Sequence, residues 1–509
     1  MIAARALARR AAPLRSYMTA SELRAGVAAG DVETVMVMMH DLYGRPMGKL
    51  FDADFFLADA LGHGTHACNY LAAVDMAMDP VDGYAGFGYA EGYGDFHLAP
   101  DLATLRACSW REKTALVQCD VRDGATGAPV AVAPRSVLRS QLDAVDAAGL
   151  GGANVASELE YFIYADSYKA AHAKGHVNLE PIGQYVEDYH LLQGARTEFY
   201  HRRVRRALKA AGMVVETSKG EAAKGQHELN VRYDGALAMA DNHVVFKQCL
   251  KEIADQENIS VTFMAKPSAD EPGSSCHIHC SLTRPDGSNA FLGDRDLGPG
   301  ARPRDARRPR KEEGRRRRAR RLRRLRPLPR GLDGAHARPH AARAPRPPTF
   351  TRRRGRRPSR FYAPTVNAYK RYQSKSWAPT ALVWSADNRT AGFRVVGSGE
   401  ALRVEMRIPG ADANPYLAFA AVLASGLAGV RAKLEPPAQF VGDAYSTPGL
   451  PLVPTTLKDA SAAFKASAFA RGAFGDVVVD HYATFFDNEV LAFERAVTDF
   501  EMRRYFEQI

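Results

Sequence analysis

Cysteine is scarce in this 509-residue chain: Cys68, Cys108, Cys119, Cys249, Cys276 and Cys280, none of them in a CxxC pair. That excludes a disulfide-stapled scaffold and suits a reducing compartment in which most thiols are small core residues. Long apolar runs are missing too. The nearest, YLAFAAVLASGLAGV at 416–430, is too short for a membrane span and follows Asn-Pro, so it reads as a buried helix. Acidic residues are absent before Glu22, where MIAARALARRAAPLRSY carries four Arg. Residues 1–17 therefore fit a transit peptide, or equally an over-extended start ahead of Met18. The expected compartment is cytoplasmic, or mitochondrial or plastid if 1–17 is a transit peptide.

Between 299 and 360 the missing ingredients are apolar period, β-branched residues and aromatics, with Phe350 the one aromatic. Residues 301–360 hold 24 Arg and one Lys against two Asp and two Glu, a local charge of +21. The whole chain is +12, so everything outside this block is −9, a mildly acidic body. Nucleic-acid readers interleave stacking aromatics with their positive charge, and this block does not. It cannot bury a core and is expected to be disordered if translated. A basic arm is one reading. The favoured reading is wrong-frame or mis-spliced translation, because order returns abruptly at FYAPTVNAYKRYQ in mid-domain. A chain that retains the block is expected to fold poorly or be inactive.

Apolar and charged fractions are otherwise ordinary for a globular protein, and the length allows a small domain plus a large one. VETVMVMMHDLYGRPMGKL at 32–50 predicts strand, loop and strand, and TALVQCDV at 114–121 a strand. Residues 134–149, with Pro first and Gly last, predict a helix, as does 237–254, an amphipathic pattern with Val245, Cys249 and Ile253 on one side. The C-terminal NEVLAFERAVTDFEMRRYFEQI reads as helical. A boundary near 110–130 separates a first domain, 18–110, from a second, 111–509, interrupted by 299–360.

Three segments share a two-residue period. SELEYFIY carries Glu158 and Glu160, CHIHCSL carries His277 and His279, and LRVEMRI carries Arg403, Glu405 and Arg407. Side chains two apart on a strand share a face. The intervening residues are apolar or small, so the three segments suggest one sheet lining a polar cavity. Each piece alone is weak: a Glu-x-Glu strand is usually a solvated face and a His pair is often structural. Alternation also sends the Cys and His of CHIHC to opposite faces, against a single tetrahedral zinc site. KGEAAKGQHELN adds Glu221 and Glu228 on a turn and strand. Carboxylates with one or two imidazoles suit Mg²⁺ or Mn²⁺, and two such ions beside several Arg suit phosphoryl transfer.

With SELEYF, GQHELN, FMAKPSADEPGSSCHIHCSL, NAYKR, DNRTAGFR and VEMRIPGADANPYL in this order and spacing, the chain resembles the glutamine synthetases and their γ-glutamyl-amine ligase relatives. The resemblance runs from about Met18 to Leu297 and from Phe361 onward. It implies an α+β fold: a small N-terminal β-grasp domain, then a large catalytic domain whose antiparallel sheet forms a metal-lined cavity. It implies stacked rings of subunits with active sites between neighbours, no nucleic-acid partner and no membrane. Glu160, Glu221 and Glu228 are the implied ligands of one metal, and Glu158, His277 and Glu405 of the other. His279, Ser281, Arg394 and Arg403 fall where the family binds ATP. Arg371, Arg407 and Gly273 fall where it binds glutamate. Arg389 falls where the transferring phosphoryl group is stabilised. Asp41 falls where a residue reaches a neighbouring subunit's site and binds ammonium. The implied reaction activates the γ-carboxylate of glutamate with ATP and condenses it with an amine.

The chain departs from glutamine-forming members at three places. A flap glutamate directly before Ala-Pro takes part in ammonium deprotonation in those enzymes; here, in NAYKRYQSKSWAPT, Trp377 stands at that position. Indole accepts no proton but offers an apolar wall and a cation–π face. An amine larger than ammonia, such as ethanolamine or a polyamine, is therefore expected. The bland alternative has Trp377 merely packing while Asp41 serves ammonia. Second, Pro272 stands where Asn commonly contacts glutamate, and proline offers no such hydrogen bond. The third departure is the 299–360 block. Authentic glutamine synthesis and a catalytically inactive structural relative are the competing expectations, and the intact set of six metal ligands argues against the second.

Overall fold

A computed structural model of the chain describes residues 17–292 and 359–509. The readings of 1–17 and 299–360 fall almost wholly outside the described residues. Within them the strands form two sheets, a mixed α+β fold.

The first sheet takes β1 Thr34–His40, β2 Pro46–Asp52, β3 Thr65–Cys68, β4 Asp95–Pro100, β5 Arg106–Ala107 and β6 Thr114–Asp123. Their order is β2-β1-β6-β4-β3, with β5 also on β6. β1 and β2 form the expected antiparallel hairpin, from Thr34 opposite Asp52 to His40 opposite Pro46. β6 runs parallel to β1 through the middle of the sheet, with Ala115, Val117 and Cys119 buried. The sheet therefore runs to Asp123, past the expected limit at 110 and inside the 110–130 window, because the apolar TALVQCDV strand is its centre.

The second sheet takes β7 Gly152–Tyr164, β8 Val215–Gly220, β9 Gln226–Val231, β10 Asp234–Gly235, β11 Ser260–Thr262, β12 Cys276–Thr283, β13 Trp384–Ala386, β14 Phe393–Val396 and β15 Arg403–Met406. The order is β13-β14-β15-β12-β7-β9-β8, with β10 and β11 also on β7. Helices Pro134–Asp146 and Ala236–Gln256 pack on β7, and Pro415–Arg431 packs on both helices. Asn414 caps this last helix by accepting the Tyr416 amide at 3.1 Å, with Pro415 in its first turn. The helix is buried almost throughout, as its sequence suggests. Among the described residues no helix is long and apolar enough to cross a membrane.

Two expected helices are present, with added detail. Ala236–Gln256 buries Val245, Cys249 and Ile253, but its first half is buried on polar faces as well. Asp241 accepts Arg135 at 3.0 and 2.9 Å and the Tyr416 hydroxyl at 2.7 Å. Asn242 accepts Arg106 at 2.6 Å. Arg135 also pairs with Asp101 at 2.7 Å and with Asp120 of β6, so one buried guanidinium ties the first sheet to the helices behind the second. A buried charge is tolerated only when paired in this way. The C-terminal stretch is two helices, Asp476–Arg495 and Asp499–Tyr505, because Thr498 and Glu501 form a capping box that starts a new one.

Candidate active site

Cross-strand register gathers the charged residues. His277 lies opposite Glu158, His279 opposite Glu405, Glu160 opposite Glu228, and Arg394 opposite Glu405. Directly opposed side chains share a face, so five strands deliver their polar groups to one side. The other side buries Leu159, Ile278 and Val404. The polar side walls a cavity of about 470 Å³.

Two donor groups face this cavity. Glu160, Glu221 and Glu228 bring carboxylate oxygens within 4.8 Å of one another, and Glu158 and Glu405 do so with an imidazole nitrogen of His279. His277 adjoins the second group, with Nδ1 at 3.2 Å from Glu158 and 3.7 Å from Glu405. Both imidazoles thus converge on Glu158. His279 meets it through Nε2 at 3.0 Å, while its Nδ1 accepts Arg403 Nε at 3.1 Å.

The second group neutralises itself. Arg394 donates to Glu405 at 2.7 Å and Arg407 at 2.5 Å. Burial alone would raise the Glu405 pKa, but the charges of His277, Arg407 and His279 hold it at about 2. Glu158 is likewise held below the usual carboxylate range: burial opposes this, and the hydrogen bonds of His277 and His279 prevail. Burial, then the Arg407 charge, lowers His277 to about 4 and leaves a neutral imidazole with a free lone pair at neutral pH.

The first group does not. Glu160 accepts the Ser275 amide at 2.9 Å, the Ser275 hydroxyl and Gln226 at 3.1 Å. Lys219 pairs with Glu221. Burial, then the Glu221 charge, still pushes Glu160 up to about 7. Burial, then Glu158, Glu221 and Glu160, pushes Glu228 up to about 10. Three carboxylates beside a single ammonium are an all-oxygen, under-neutralised donor set, which fits a hard divalent cation such as Mg²⁺ or Mn²⁺.

Arg371, Arg389, Arg394, Arg403, Arg407, Gly273 and Trp377 also line the cavity. Arg371 is buried and donates to the carbonyls of Ile408 and Arg407 at 2.8 and 2.9 Å. Gly273 is a required glycine: a Cβ there would lie 2.3 Å from the Ala265 carbonyl and 2.8 Å from Arg371 Cγ. Ser281 lies in an adjoining cavity of about 510 Å³, shared with Glu158, His279 and Arg403. Pro272 stands in the wall beside Gly273.

Asp41 lies apart from these residues. Its side chain is wholly buried, accepts the Arg45 amide at 2.7 Å and pairs with the Arg45 guanidinium at 2.5 Å, closing the β1–β2 turn. Burial raises its pKa against the pull of Arg45.

Sequence reasoning missed Gln226 and Ser275, although each sits two residues before a named ligand and the same alternation points to them. It also missed Asp188, Tyr189 and Lys219, which line the cavity. Asp188 and Tyr189 come from a loop with no period to reveal them.

The profile of the glutamine synthetase catalytic domain matches residues 131–300 and 356–505. The chain belongs to the glutamine synthetase family. Ligases of this family use ATP and divalent metals. The chain is 43% identical over 488 residues to γ-glutamylethanolamide synthetase GlnA4 of Streptomyces coelicolor, covering 96% of each. It is 34% identical over 483 residues to glutamate–isopropylamine ligase of a Pseudomonas species, covering 94% of this chain and 96% of that one. A solved structure of a GmaS/ADP complex in its conformation 1 shares the fold, with a TM-score of 0.74 over 96% of this chain and 99% of the other at 24% identity.

Proposed function

We propose that this member of the glutamine synthetase family is an ATP-dependent carbon–nitrogen ligase that joins the γ-carboxylate of glutamate to an amine larger than ammonia. The observation that carries the reading is Trp377, an aromatic residue on the wall of a cavity that also holds two donor groups and five arginines. The names of two similar relatives, an ethanolamide synthetase and an isopropylamine ligase, agree with it.

In this reading Glu160, Glu221 and Glu228 hold one divalent ion, and Glu158, His277 and Glu405 another, with His279 beside them. Bound there, the ions supply charge neutralisation at the phosphates. His279, Ser281, Arg394 and Arg403 bind ATP, and the adjoining cavity at Ser281 gives the nucleotide room. Arg371, Arg407 and the Gly273 backbone hold glutamate. A γ-carboxylate oxygen attacks the terminal phosphorus of ATP, forming an acyl phosphate and releasing ADP. Arg389 faces the charge that develops in this step. The neutral amine then attacks the acyl carbon, phosphate leaves with the C–O bond electrons, and the nitrogen gives up one proton.

The first sheet, extended to Asp123, fits the small β-grasp domain, and the second sheet the catalytic one. Exposed Phe500, Phe506 and Ile509 near the C-terminus support burial against further copies in a ring assembly. The direct test is ADP release with glutamate and ammonium, ethanolamine, isopropylamine or putrescine. It uses the full chain and, beside it, the chain encoded when 295–362 is read in an alternate frame. Turnover with an alkylamine well above that with ammonium is expected; a clear ammonium preference contradicts the reading.

A further inference from the structure

Trp377 and Tyr189 are the large aromatic side chains on the cavity wall, and both are mostly exposed, at 58% and 70%. Both also have left-handed backbone, with φ of +64° and +54°. Bulky residues rarely adopt that conformation, and neither aromatic gains burial from it. Backbone strain without a packing reward is characteristic of ligand-binding positions.

The Tyr189 loop is also anchored. Two residues before it, Glu187 is buried 2.8 Å from His227, its neighbour on the β9 strand that carries Glu228. Gly220 leaves room for it, since a Cβ there would lie 2.4 Å from Glu187 Cβ. Tyr189 is therefore held at the cavity while its ring stays open.

The ring is not vacant. Lys219 Nζ sits 4.5 Å from its centroid and 3.6 Å from Asp188, and also pairs with Glu221. An alkylammonium on an aromatic face beside a carboxylate has the chemistry of an amine subsite, and here the chain's own side chain fills the cation position.

We infer that Asp188, Tyr189, Lys219 and Trp377 form the subsite for the tail of the acceptor amine, and that it selects monoamines whose tail carries no second charge. This rests on the ligase reading above. The two aromatic rings give the tail apolar contact. Lys219 lies between Asp188 and Glu221, so once Glu160, Glu221 and Glu228 hold their ion the distal ammonium of a diamine meets the like charge of Lys219 beside Asp188. An alcohol or short alkyl tail meets no such penalty.

The test compares kcat/KM for ethanolamine, isopropylamine and putrescine in wild type, Lys219→Met, Asp188→Asn, Tyr189→Ala and Tyr189→Phe, with the KM for glutamate measured in each. Wild type is expected to favour the two monoamines over putrescine at least tenfold. Lys219→Met should cut that ratio at least fivefold by admitting putrescine at Asp188. Tyr189→Ala should raise the KM for ethanolamine several-fold while the KM for glutamate holds, and Tyr189→Phe should restore it. A wild-type preference for putrescine, or an amine ratio unmoved by Lys219→Met and Tyr189→Ala, overturns the inference and leaves the ligase reading intact. Absence of amine-dependent ADP release with every amine, from both the full chain and the chain encoded by the alternate frame across 295–362, overturns both.

Discussion

The two donor groups on one sheet face differ in how their charge is settled. Around Glu405 the chain supplies its own cations, Arg394 and Arg407, and Glu405 stays ionised down to about pH 2. Around Glu228 it supplies carboxylates and one lysine, and Glu228 holds its proton to about pH 10. The Glu405 group is largely ion-paired by the chain's own cations. The Glu228 group is left under-neutralised by the chain. Proteins rarely leave buried like charges together without a use for them.

The largest expected effect comes from removing one carboxylate from each group. Glu405→Gln and Glu228→Gln should each lower ligase turnover by about a hundredfold or more, as loss of charge stabilisation does at other active sites. Their effects on the metal-free fold should separate. Glu405→Gln strands buried Arg407 and should cost about 3–5 kcal/mol. Glu228 is already protonated at neutral pH, so Glu228→Gln replaces one uncharged group by another and should leave the melting temperature unchanged or raised. Thermal melts in chelator measure both, and equal losses would erase the distinction.

Metal and pH should sharpen the same contrast on a smaller scale. The ordinary value for Glu228 is 4.5 and the folded value about 10, so between them the folded state holds a proton that the unfolded state has lost. Stability of the metal-free chain should fall as pH rises through that window. A divalent cation takes the proton's place, so the rise in melting temperature on adding Mg²⁺ or Mn²⁺ should grow from pH 6 to pH 9. In Glu228→Gln this growth should shrink, leaving the smaller part that comes from Glu160, held at about 7. A metal-induced shift independent of pH would contradict the assignment.

Smaller still is the effect expected at the wall. Trp377→Ala should raise the KM for ethanolamine by about tenfold, on the order of 1.4 kcal/mol of lost contact, with little change for glutamate. Steady-state kinetics against each substrate separates the two.

Most of this sheet face was legible in the sequence because strand alternation is a local rule. Glu158 with Glu160 and His277 with His279 announce a shared face without any knowledge of the fold. Which strands neighbour one another was not legible from spacing, and came only with the order and combination of motifs. The first sheet runs past 110 because β6, though recognisable as a strand, pairs with β1 at an offset of eighty residues, from Thr34 opposite Thr114. Nothing local reports such a partner. The same holds for Asp188 and Tyr189, whose place at the cavity depends on a buried contact between Glu187 and His227. The polar burial of Ala236–Gln256 was not legible, because Asp241 and Asn242 look solvent-bound until Arg135 and Arg106 arrive from other elements.

The most direct test of the account is a competition assay. ATP, Mg²⁺ and glutamate are supplied with equal concentrations of ammonium and ethanolamine, and the products are identified by mass spectrometry. The account predicts that γ-glutamylethanolamide exceeds glutamine. Glutamine as the dominant product would contradict it.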